Sequence, residues 1–93
     1  MKSKYTKRTE ALERRTRDAE HHRAAIEFWG QAKREDLTMS GLYKDTDPQI
    51  SKVHESKATL DADYVAYYTR KLAAAERDIN NLMAKLGIEE KGA

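Results

Sequence analysis

Cysteine is absent from this 93-residue chain, which removes disulfides, thiolate metal sites and cysteine nucleophiles. Proline occurs once and glycine four times, so little interrupts a regular backbone. No apolar run approaches the ~20 residues needed to span a bilayer. The basic N-terminus has no hydrophobic stretch behind it, so neither a membrane segment nor a signal peptide is expected. A glycine-rich phosphate loop is missing too. The four serines (Ser3, Ser40, Ser51, Ser56) lack a base and an orienting acid at a workable spacing, so no catalysis and no cofactor are expected. The missing cysteine fits a protein of the cytoplasm, while small size and helicity also suggest one assembled in a virion.

Charged residues make up 37% of the chain and hydrophobic residues 39%, with a mean hydropathy of -0.95. Ala, Glu, Lys, Arg and Leu dominate, which favours long helices over a sheet. The length allows one domain with a marginal core, a size at which association often completes the fold. The net charge of +2 is unevenly spread. Residues 1–23 hold eight Lys/Arg against four Asp/Glu, and the remainder holds ten against twelve.

The pattern predicts one all-α domain built as an antiparallel two-helix hairpin with coiled-coil packing. A first helix is expected over about 4–37, a connection over about 38–47 and a second helix over about 48–86, with a short tail at 87–93. In the first helix Tyr5, Leu12, Ala19 and Ile26 recur every seven residues and form a thin stripe. Ala24, Ala25, Ile26, Phe28, Trp29 and Ala32 then cover a wide arc, which implies more than one neighbouring helix. Gly30 inside that arc is expected to admit a close helix approach. Ser40-Gly41 gives the turn signal, and Asp47-Pro48 opens the second helix as N-cap and first helical residue. Gly87 followed by Ile88 reads as its stop.

The second helix carries the stripe that organises the chain: Val65, Tyr68, Leu72, Ala75, Ile79, Leu82 and Leu86, at alternating gaps of three and four. Traced backward through Tyr64, Leu60, Lys57, Val53 and Ile50, the seam contains an extra four-residue step, a stutter that would unwind the packing near Tyr64 and Tyr68. A turn centred near residues 42–43 would set Ile26 against Leu60, Trp29 against Lys57, His22 against Tyr64 and Leu12 against Ala75. Leu72, Ile79, Leu82 and Leu86 would then face the thin end of helix one. Burying one such side chain contributes about 1.5–3 kcal/mol, so a second copy, forming a four-helix bundle, is expected to cover them.

Phe28, Trp29, Tyr64, Tyr67, Tyr68, Leu72, Ile79, Leu82 and Leu86 are therefore the candidate partner-binding residues, for self-association and for an unidentified protein. Tyr67 and Tyr68 point about 100° apart on a helix, so all three tyrosines cannot enter one seam. The alternative is nucleic-acid or other anion binding through Arg8, Arg14, Arg15, Arg17, Arg70 and Lys71. That set is similar to the basic half of a basic-region zipper in composition only. Asp18 with His21 and His22 has a spacing that lets two side chains reach one metal. The pattern of inward Glu and Glu-x-x-His that builds di-metal bundles is missing, and no metal is expected. Lys57 would snorkel or lie over the Trp29 indole.

Trp29 and Gly30 are adjacent and lie inside a helix, unlike the Trp-x-Gly turn of helical-hairpin secretion proteins. In size and helicity the chain is similar to small plasmid RNA-binding hairpin dimers and to short scaffolding or accessory proteins of phages. The expected function is a non-enzymatic protein-interaction module or small helical assembly protein, with a nucleic-acid-binding regulator as the alternative.

Overall fold

The computed structural model describes residues 3–92, and the side chains of residues 3–87. The described residues form two long α-helices packed against each other, α1 over Lys4–Tyr43 and α2 over Pro48–Gly92. Ser3 caps α1, its side chain accepting from the Thr6 amide at 3.1 Å. Asp47 caps α2 in the same way, its Oδ1 accepting from the Ile50 amide at 3.2 Å, with Pro48 first in the helix as the sequence indicates.

Both helices outrun their expected ends. The segment 38–43 stays helical, with Ser40 bonded to the neighbouring helix and Thr38 back to its own. Thr38 Oγ1 donates to the Arg34 carbonyl at 2.9 Å. Ser40 Oγ reaches Ser51 Oγ at 3.1 Å, and Ser51 Oγ donates to the Ser40 carbonyl at 2.7 Å. The connection therefore shrinks to residues 44–47, closed by the Asp47 amide on the Tyr43 carbonyl at 2.9 Å. At the other end α2 runs through Gly87, and no described glycine has positive φ. Glycine permits a left-handed stop without requiring one. The Ile88 side chain, Lys2 and Ala93 lie outside the described residues.

The shorter connection moves the pivot of the hairpin. Facing residue numbers total about 91, as Ser40 with Ser51, Asp36 with His54 and His22 with Tyr68 show. Trp29 accordingly meets Tyr64 and not Lys57, and His22 meets Tyr68 and not Tyr64. The same offset brings Ile26 level with Val65 instead of Leu60, and Leu12 level with Ile79 instead of Ala75.

The seam of α2 is Ser51, His54, Ala58, Asp61, Val65, Tyr68, Leu72, Ala75, Ile79, Leu82 and Leu86, every one buried or half-buried. Its gaps alternate between three and four throughout, so the expected stutter is absent. In the loop half the seam lies one residue further along than the apolar trace through Ile50, Val53, Lys57, Leu60 and Tyr64. Among the described residues the buried apolar side chains are Ala19, Ala58 and Ala75, the buried polar ones are Asp36, Ser51 and Asp61, and no large side chain is fully enclosed. Small residues let the rods approach closely, but they remove little apolar surface from water.

The result is a rod of 70 × 22 × 13 Å. It exposes 7129 Å², where a compact monomer of 10.7 kDa would expose about 5,500 Å².

Candidate functional site, an apolar face at the loop end

One residue back from the α2 seam runs a second stripe with helical spacing: Ile50, Val53, Lys57, Leu60, Tyr64 and Tyr67. All six are exposed, with Val53 at 58% and Leu60 at 54%. Two shallow grooves follow it, one between Val53 and Leu60 and one lined by Leu60, Asp63, Tyr64, Tyr67 and Arg70. From α1 the same side of the hairpin receives Ala25, Phe28, Ala32, Glu35, Met39 and Leu42 at matching heptad positions. Phe28 is 64% and Leu42 67% exposed.

Contacts across the hairpin tie these two rows together. The Trp29 ring stacks on Tyr64 with centroids 4.3 Å apart, and Phe28 stands edge-on to Trp29 at 5.0 Å. Lys57 Nζ lies 3.5 Å from Asp36 Oδ1 and not over the indole. Tyr67 packs edge-on to Tyr68 at 5.1 Å and receives the Lys71 ammonium 5.5 Å from its centroid. The opposite side of the hairpin carries Leu37 and Met83, far apart, and the exposed Arg23–Glu76 pair at 3.2 Å.

The expected partner-binding residues thus divide. Phe28, Tyr64 and Tyr67 lie on the outward face, and half-buried Trp29 supports it. Tyr68, Leu72, Ile79, Leu82 and Leu86 lie half-buried in the seam against α1. Ile50, Val53 and Leu60, read from the sequence as seam, are surface, and Ala25, Ala32, Met39 and Leu42 complete the face. Two heptad stripes one residue apart were the available signal.

Arg15 lies 3.4 Å from both Asp18 and Asp78, and Arg23 pairs with Glu76, so α2 supplies carboxylates to both arginines. Arg8 has interactions of its own. Arg14, Arg17, Arg70 and Lys71 are exposed. His22 leans on the Tyr68 ring at 6.0 Å while His21 stays on the surface, 5.9 Å from His22. Among the described residues, no three His, Asp or Glu side chains are grouped so as to hold a metal ion. Gly30 admits no close approach either: a Cβ there would meet only the Arg34 guanidinium at 3.7 Å.

Beneath the apolar face lies a polar cluster. His54 Nδ1 donates to Asp36 Oδ1 at 2.9 Å, and the Asp61 carboxyl interacts with Asp36, its buried Oδ2 having no donor among the described residues. The His54 bond, the Asp61 bond and the Lys57 charge together hold the Asp36 carboxyl below its ordinary value. Asp61 is pushed up, first by the bond to Asp36, then by lost hydration and the Asp36 charge. The pair therefore favours a single shared proton, donated by Asp61. Such a cluster specifies alignment better than it supplies stability.

No protein-family model, curated protein or solved structure matches this chain. Among the described residues, no helix is long and apolar enough to cross a membrane.

Proposed function

We propose that the protein is a non-enzymatic helical assembly module that works by docking through the loop-end face of its hairpin. The observation that carries this reading is an inversion. Polar and small side chains fill the loop half of the seam, while Ile50, Val53, Leu60, Tyr64 and Tyr67 point to water beside Phe28 and Leu42. Contiguous exposed apolar surface of this kind marks interaction sites. Aromatic anchors in a row with aliphatic neighbours are the residue types that dominate interface energetics.

The test compares two double variants by light scattering and by capture of binding proteins. Leu60→Asp with Tyr67→Asp places charge on the face, whereas Leu37→Asp with Met83→Asp places it on the opposite side. The reading requires association that the first pair abolishes and the second pair spares. Equal association of both variants, or none by the wild type, overturns it.

A further inference from the structure

We infer that the occupant of this face is a second copy of the chain, lying side by side with the first so that both loops sit at the same end of a four-helix bundle. This rests on the docking function proposed above and adds the partner and its orientation. The hairpin exposes about 1,600 Å² more than a compact monomer of its mass, and a standard interface removes about 800 Å² from each partner.

The orientation follows from what each arrangement would bring together. A two-fold axis along the rod lays α1 of one copy over α2 of the other with every residue at its own level. The known offset within the hairpin then sets Leu42 beside the second copy's Ile50, Phe28 beside its Tyr64, and Ala32 beside its Leu60. Glu35 comes beside the second copy's Lys57, and Arg14 beside its Asp78. Leu60 of one α2 packs on Ala32 of the other α1, the exposed Phe28 and Leu42 gain apolar partners, and opposite charges meet. A two-fold axis across the rod at the centre of the apolar stripe does worse. It packs α2 on α2, crowds Val53 against the second copy's Tyr64, and presses the Lys57 ammonium onto its Leu60. On the other side Ala32 faces the second copy's Ala32, leaving a gap, and Phe28 falls beside its Glu35. Isologous contacts require self-complementarity, and only the first arrangement has it in both shape and charge.

The absence of native cysteine makes single spin labels unambiguous. Thr16→Cys and Thr46→Cys lie off the face, one toward the open end and one in the loop, and each labelled protein is measured by pulsed dipolar spectroscopy. Side-by-side copies place both pairs within about 35 Å, the width of two helical layers plus the label arms. The two sites lie ~44 Å apart along the rod at 1.5 Å per residue. Any end-over-end pairing therefore leaves at least one pair separated by more than ~40 Å. Short distances at both sites support the inference. One long distance overturns the orientation, and no dipolar coupling at either site overturns self-pairing. Neither negative result touches the docking function, which the face-directed variants test separately.

Discussion

Tyr64 on α2 stacks on Trp29 of α1 with the ring centroids 4.3 Å apart and the planes inclined by 16°. The stack joins the hairpin seam to the outward face, since Trp29 is half-buried and Tyr64 exposed. A double-mutant cycle with Trp29→Ala and Tyr64→Ala should give a coupling of about 0.5–1.5 kcal/mol in urea unfolding. Zero coupling would mean that the rings do not hold the two helices together.

Gly30 sits mid-helix without positive φ, and a Cβ there would make only an ordinary contact with the Arg34 guanidinium at 3.7 Å. Gly30→Ala should therefore raise stability by about 1 kcal/mol through helix propensity. A loss of stability in thermal unfolding would show that another backbone approaches this position.

Asp36 and Asp61 respond to pH with opposite sign. Asp36 is lowered from 3.8, so its stabilisation is present above that value and lost as pH falls through its folded pKa. Asp61 is raised from 3.8, so its stabilisation is present below that value and lost as pH rises through its folded pKa. Asp61→Asn keeps a donor to Asp36 and removes the second ionisation. The variant should be more stable than wild type at neutral pH and lose the Asp61 part of the decline above pH 3.8. An unchanged pH profile in urea titrations would remove the shared proton from the account.

Ala58 is 3% exposed in the seam, where the helices approach through small side chains. Ala58→Leu should cost about 1–3 kcal/mol by overpacking, or should splay the loop half of the hairpin. Unaltered stability together with unaltered amide exchange would show that the seam is looser than described.

The two helices, the Asp47–Pro48 start of α2 and the open-end seam from Val65 to Leu86 were legible because spacing and capping chemistry agree there. The loop half was not. Tracing apolar residues assigned Ile50, Val53 and Leu60 to the interior, since burial normally follows hydrophobicity. In this hairpin the interior positions one step along hold Ser51, His54 and Asp61; hydrogen bonds to Ser40 and Asp36 satisfy the first two, while Asp61 Oδ2 has no donor among the described residues. Ser40-Gly41 misled for a related reason. A serine that bonds to the neighbouring helix is no longer a turn signal, and without knowing the neighbour the sequence gives no means of telling.

Whether one hairpin leaves apolar surface that a second copy covers is decided by sedimentation equilibrium combined with thermal unfolding over a concentration series. At micromolar concentration a paired hairpin should show twice the 10.7 kDa chain mass, a Tm that climbs with protein concentration, and a return to the single-chain mass in Leu60→Asp. A wild-type mass of one chain with a concentration-independent Tm would contradict the pairing.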